Sequence, residues 1–249
     1  MSCNRNASLV DRLEGRRLLA SSAAIVDRRV IVTGTEAADT FTLTKTGSNT
    51  YTIADTSGFS FDFTVAAKQV RSLIVNALGG ADKVDLSTAE FPVGVNAGGA
   101  GDRVFLGKSY DWANLGDGDD WVSGGTGSDS LNGDAGDDRL FGDAGTDLIH
   151  GGADRDAAWG GDDNDSVYGD GGNDTLRGDN ANDLVDGGLG NDRIYGCDND
   201  NTLVGGQGND VFYISGVNTL DHADGGAGSD KAYANVSDVL TSIEDRVNV

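Results

Sequence analysis

Ten aspartates stand in one nine-residue register: Asp120, Asp129, Asp138, Asp147, Asp156, Asp165, Asp174, Asp183, Asp192 and Asp210, with Asn201 in the single gap. Carboxylates held in register can do acid–base work or bind a hard cation through oxygen. Of the 41 acidic residues, 37 are Asp and four are Glu (Glu14, Glu36, Glu90 and Glu244), against 18 basic residues. Residues 115–213 alone hold 23 Asp, no Glu, no Lys and four Arg, a net charge of −19. Acids this numerous single out no catalytic pair, and neither His150 nor His222 sits in a recognisable triad. Folding them together needs a counter-charge. With oxygen donors in excess and only two Cys in the chain, Ca²⁺ suits the pattern better than zinc. It also suits better than Mg²⁺, which demands tighter octahedral geometry.

The same arithmetic excludes other classes. A net charge of −23 and a pI near 4.1 oppose binding to nucleic-acid phosphates or to an anionic membrane surface. No apolar run reaches the roughly 18–20 residues of a transmembrane helix. Asp and Gly together favour turns, where Glu would favour helix.

The element that must position these acids is a repeat. From Leu115 to Tyr213 the chain divides into eleven consecutive nonapeptides, LGDGDDWVS through GGQGNDVFY. Position one is Gly in all ten blocks from Gly124, and position six is Asp in ten of eleven. Position eight is apolar throughout: Val122, Leu131, Leu140, Ile149, Ala158, Val167, Leu176, Val185, Ile194, Leu203 and Phe212. Six residues of Gly, Asp and Asn make a turn, because Gly tolerates positive φ. The last three, with one apolar side chain inward, predict a very short strand. No unit can bury its apolar residue alone, so neighbours must stack into a solenoid.

GGTGSDSLN, GGLGNDRIY and GGQGNDVFY resemble the GGxGxDxUx nonapeptide of the RTX (repeats-in-toxin) calcium-binding family at every specified position. The resemblance implies an all-β fold, a right-handed parallel β-roll with two nonapeptides per coil. It also implies Ca²⁺ between successive turns along each edge, held by position-six carboxylates and turn carbonyls. An 18-residue coil puts Asp120, Asp138, Asp156, Asp174, Asp192 and Asp210 on one edge and Asp129, Asp147, Asp165, Asp183 and Asn201 on the other. Eleven blocks then offer up to about nine ions between them. Position four departs from Gly at Asp154, Asp163, Ala181 and Asn199, of which Ala tolerates a left-handed conformation worst. Asn201 replaces a carboxylate by an amide, so its site should bind more weakly. Cys197 is expected to face solvent. A further motif, GGAGSDKAY, returns at Gly225 with Asp230 at position six.

The whole chain reads as five segments. Residues 1–28, with Arg16 and Arg17 before a small apolar stretch, form a disordered tail or an export segment. Residues 29–78 alternate as half-buried strands do, as in Phe41 and Leu43 or Phe59, Phe61 and Phe63. They should form a small antiparallel or coil-like region at one end. Residues 79–114 read as degenerate coils needing little or no metal, 115–213 as the calcium-binding roll, and 214–249 as the last repeat and a closing cap. Position nine of alternate blocks (Phe141, Trp159, Arg177, Tyr195, Tyr213) should stack on one sheet face, either as a stabilising ladder or as a strip for an extracellular glycan or protein surface. The function expected is a non-enzymatic, calcium-folded structural, adhesion or interaction module, secreted or at the cell surface. The alternative is a non-catalytic accessory module of an extracellular enzyme or toxin.

Overall fold

The computed structural model describes residues 22–26, 28–55, 60–64, 71–214, 220–235 and 237–248. Most of residues 1–28, together with Phe59, lie outside the described residues. The described chain is all-β, a parallel β-roll of two sheets with 12 and 13 strands. One sheet runs from Ser22–Val26 through Arg29–Thr33, Ser72–Asn76, Val93–Gly99 and Trp112–Asp117 to Thr202–Gln207, His222–Ala227 and Val239–Thr241. The other runs from Asp245–Asn248 back through Lys231–Ala234, Val211–Tyr213 and their predecessors to Lys83–Asp85 and Thr40–Lys45. The chain alternates between sheets at every block, so each strand pairs with the strand two blocks on. Leu131 faces Ile149 and Ile149 faces Val167; Leu140 faces Ala158 and Ala158 faces Leu176.

The apolar column of position eight is the core. From Val122 to Phe212 every one of these side chains is fully buried. The alternation continues outside the repeat, through Val95, Val104 and Ala113 before it and Ala223 and Ala232 after it. One apolar residue per strand makes a thin core, and its stability depends on stacking each rung on the next.

The strands differ from the three-residue expectation. Most run six residues, as in Arg139–Ala144, pairing with Ala157–Asp162 from Arg139↔Ala157 to Ala144↔Asp162. Each coil repeats the same turn backbone, so parallel pairing carries on through the first residues of the next block. The turn itself is made at positions two and four, both in the left-handed region. At position four Asp154, Asp163, Ala181 and Asn199 stand at φ of 77°, 72°, 82° and 70° in place of Gly.

Residues 29–78 join the same sheets. Arg29–Thr33 pairs in parallel with Ser72–Asn76, and Thr40–Lys45 with Lys83–Asp85. Antiparallel strands extend this end: Ser22–Val26 beside Arg29–Thr33, and Thr50–Asp55 followed by Ser60–Thr64 beside Thr40–Lys45. At the far end the tail adds one rung to each sheet, Val239–Thr241 on His222–Ala227 and Asp245–Asn248 on Lys231–Ala234.

Candidate metal-binding ladders

Each position-six carboxylate turns into the edge of the roll. Asp120, Asp129, Asp138, Asp147, Asp156, Asp165, Asp174, Asp183, Asp192, Asp210 and Asp230 are all at most 3% exposed, and Asn201 is 2% exposed. In each, Oδ1 accepts a hydrogen bond from the backbone N–H of the ladder residue one coil earlier. Asp120 N–H donates to Asp138, Asp138 to Asp156 and Asp156 to Asp174, each at 2.8 Å. Asp129 N–H donates to Asp147 at 2.7 Å, Asp147 to Asp165 at 2.8 Å and Asp165 to Asp183 at 2.9 Å.

Two continuous ladders result. The first carries Asp120, Asp138, Asp156, Asp174, Asp192 and Asp210, then Asp230 across a step of 20 residues, and ends on Glu244, whose Oε2 accepts from Asp230 N–H at 2.6 Å. The second carries Asp129, Asp147, Asp165, Asp183 and Asn201, then Asp221. The division between edges is the one the 18-residue coil predicts.

The second oxygen is the informative atom. Oδ2 of every one of these Asp up to Asp210, and of Asp230, is buried with no hydrogen-bond partner. Leaving a buried acceptor unpaired costs about 1–3 kcal/mol, and more when it is charged. The invariant position-one glycine explains the room around it. A Cβ on Gly124 would lie 2.7 Å from Asp129 Oδ2 and 2.6 Å from the Gly142 carbonyl oxygen; on Gly160 it would lie 2.5 Å from Asp165 Oδ2 and 2.6 Å from the Gly178 carbonyl. Two oxygen acceptors therefore crowd each such glycine with no proton donor to satisfy the carboxylate. Only a cation or a proton relieves that arrangement.

Electrostatics gives the same answer. Burial, partly offset by the backbone hydrogen bond, pushes Asp147 and Asp156 up to about 8. It pushes Asp129, Asp138, Asp165 and Asp174 up to about 7, and Asp120, Asp183 and Asp192 to about 6. Neighbouring carboxylates on the ladder add to most of these shifts. Asp210 and Asp230 are raised as well, again first by burial.

The residues fit a hard cation: position-six carboxylates with free oxygens, surrounded by backbone carbonyls and no competing thiol or imidazole. Among the described residues, no three His, Cys, Asp or Glu side chains form a site by themselves. An ion here would take backbone oxygens as well as carboxylates, and what it supplies is charge neutralisation between stacked turns.

The ladders reach beyond the expected metal-binding positions, to Asp82 and Asp102 within residues 79–114 and to Asp221 and Glu244 near the far end. Asp82 and Asp102 precede Asp120 on the first edge, accept from Asp39 N–H and Asp82 N–H at 2.6 and 2.7 Å, and carry the same unpaired Oδ2. Both carry the sequence signal, as Gly80-Ala81-Asp82-Lys83-Val84 and Asp102-Arg103-Val104; Asp102 keeps the register, 18 residues before Asp120, and only Asp82 is set off by a 20-residue step. Asp111 matches the sequence pattern but differs chemically, since its Oδ2 accepts from Gly107 N–H at 2.9 Å. Cys197 is half-buried rather than solvent-facing. Its Sγ lies 3.5 Å from Arg177 Nη2, because Arg177 folds along the sheet to pair with Asp179.

The position-nine column forms as expected and is longer. Phe141 and Trp159 stack at 4.5 Å, Tyr195 and Tyr213 at 4.7 Å, and Tyr213 and Tyr233 at 5.2 Å. Arg177 lies 5.7 Å from the Tyr195 ring. Where Ser123 breaks the column, Trp121 from position seven bridges Phe105 and Phe141 at 4.9 and 5.4 Å. His150 stacks on Tyr168 and pairs with Asp170 at 2.9 Å, in no catalytic arrangement.

A parallel β-roll whose edges are ladders of buried, half-paired carboxylates defines a class: a solenoid built to take up cations between its turns. The comparison with known families names it. Residues 96–131, 114–149, 123–158, 141–176 and 177–212 match the model of the RTX calcium-binding nonapeptide repeat (4 copies). Residues 96–212 of this chain are an array of RTX calcium-binding repeats. No curated protein and no solved structure matches the chain significantly.

Proposed function

We propose that this calcium-binding repeat protein is a secreted or cell-surface interaction module whose roll is completed by Ca²⁺. The observation that supports it is the pair of carboxylate ladders with unpaired buried oxygens. Extracellular calcium modules bind with dissociation constants of about 10⁻⁴–10⁻³ M. A roll with that affinity stays incomplete where calcium is scarce and folds where it is plentiful, which suits export. Several ions, up to about nine in the main array, would neutralise most of its −19 charge. Among the described residues no helix is long and apolar enough to cross a membrane. Most of the buried acids stand in the ladders, and His150, paired with Asp170, and His222 lie at the surface with no nucleophile set beside them among the described residues, which supports reading a binding protein rather than an enzyme.

The test is far-UV circular dichroism and calorimetry from excess chelator to about 10 mM Ca²⁺, with Mg²⁺ as control. A cooperative, calcium-specific gain of β signal with several ions bound is the expected result. A chelator-treated protein already folded at neutral pH and indifferent to calcium would defeat the reading. For a partner on the position-nine column, the readout is binding to polysaccharide or cell surfaces after Trp159→Ala and Tyr195→Ala. The rings cover one another's faces by stacking, which favours the stabilising ladder. Unchanged binding in a folded double variant would exclude the column as the contact.

A further inference from the structure

Asn201 occupies the same ladder position as the aspartates and behaves differently. Its Oδ1 accepts from Asp183 N–H at 2.9 Å, as an aspartate's would. Its Nδ2, standing where the second carboxylate oxygen stands elsewhere, donates to the carbonyl of Gly196 at 2.8 Å, of Asp198 at 3.2 Å and of Asn199 at 3.4 Å. These are positions one, three and four of its own turn. The amide is 2% exposed and both its ends are engaged.

The opposite end of the same ladder is closed by a different device. Asp111 there satisfies its Oδ2 with Gly107 N–H. Between them, Asp129, Asp147, Asp165 and Asp183 keep unpaired oxygens. On the first edge the unpaired oxygens run without interruption from Asp82 through Asp102 and the repeat to Asp230.

We infer that the Asn201 amide is a built-in substitute for the cation, making the 196–201 turn independent of calcium and ending cation uptake on the second edge at Asp183. The physical reason is complementarity of sign. A turn whose carbonyls converge on one point needs positive charge there. A carboxylate at that point must recruit an ion, whereas an amide N–H₂ supplies the positive dipole itself. The two edges therefore carry unequal loads, long on the first and short on the second. This inference rests on the calcium reading of the ladders.

The experiment compares the full chain with Asn201→Asp and Asn201→Ala by denaturant unfolding over a range of calcium concentrations. The slope of stability against log calcium counts the ions taken up on folding. Calorimetric stoichiometry gives an independent count. Asn201→Asp should raise the slope and the stoichiometry by about one ion and shift the calcium midpoint for folding upward. Asn201→Ala should keep the wild-type slope and lower the denaturant midpoint at every calcium concentration. Should Asn201→Asp not fold in chelator, its slope is read within the calcium range where it does fold. Wild-type slope and stoichiometry in Asn201→Asp, or an Asn201→Ala variant as stable as the wild type, would overturn the inference. A wild-type slope of zero would instead remove the calcium reading on which it stands.

Discussion

Protons and calcium should compete for the same buried oxygens, and this makes the calcium-free roll an acid-stable fold. The perturbation is pH in the presence of excess chelator. Burial holds Asp138 and Asp165 at about 7 and Asp147 and Asp156 at about 8, whereas an unfolded Asp titrates near 3.9. Each folded-state value is raised. Its contribution to stability is therefore fully present below about pH 4 and is lost as pH rises toward 7–8. Between pH 5 and 7 the native state must hold a proton that the unfolded state has released, at about 1.4 kcal/mol per pH unit per carboxyl. Over two pH units these four carboxyls alone amount to about 11 kcal/mol, comparable to the whole stability of an ordinary domain. The magnitude is a ceiling, because the edge can open locally. Half of it, about 6 kcal/mol, would still match the lower end of an ordinary domain's whole stability, so an ion is needed to hold the roll at neutral pH. The assay is urea unfolding followed by circular dichroism at pH 5, 6, 7 and 7.5, once in chelator and once in about 10 mM Ca²⁺. The expected result is a folded state in chelator near pH 5 that fails by about pH 7, and no such loss in calcium. Stability in chelator that stays level or rises over this range would show that the carboxyls are not buried uncharged, and would refute the reasoning.

Other outcomes follow from the same geometry. Asp156→Asn should raise stability in chelator by about 2–4 kcal/mol while lowering the bound calcium, because the amide needs neither proton nor ion. Asp156→Ala should lose stability in both conditions, and urea midpoints with and without calcium separate the two. Ala181→Gly should stabilise by about 1 kcal/mol, since Ala181 is held at φ 82° where only glycine is unstrained; a thermal melt in calcium reads it. Leu140→Ala, at a fully buried core position, should cost about 2–5 kcal/mol in calcium. Its calcium stoichiometry should be unchanged once folded.

The ladders could be read from spacing because a solenoid converts sequence period directly into position. Asp120 to Asp138 is one coil, and one coil later is one rung away. That logic placed Asp210 on one edge and Asp183 on the other, and it predicted the core from Val122 to Phe212. It failed where the period slipped. Asp82 joins the first ladder across a 20-residue step, and a nine-residue frame gives no hint that the extra residues leave the rung intact; Asp230 was legible from its own GGAGSDKAY motif, but not the edge it joins across a second such step. For residues 29–78 the alternation announced an antiparallel or coil-like β region without choosing between them, and the structure holds both, with Arg29–Thr33 and Thr40–Lys45 in parallel with the roll and antiparallel strands outside them.

The sequence by itself determined the coil length, the buried column, the two edges and the demand for positive charge, since each follows from a period or a sum. The tertiary structure decided which atoms carry that demand. Position-one glycines, read as turn formers, turn out to leave room for a carboxylate oxygen and a carbonyl that a Cβ would displace. Asp111 shares its neighbours' residue type yet satisfies its second oxygen with Gly107 N–H, and the Asn201 amide, visible in the sequence, proves to donate to three turn carbonyls. Hydrogen-bond satisfaction depends on distances between atoms one coil or half a turn apart, and a residue type at a position does not encode them until the coils are stacked.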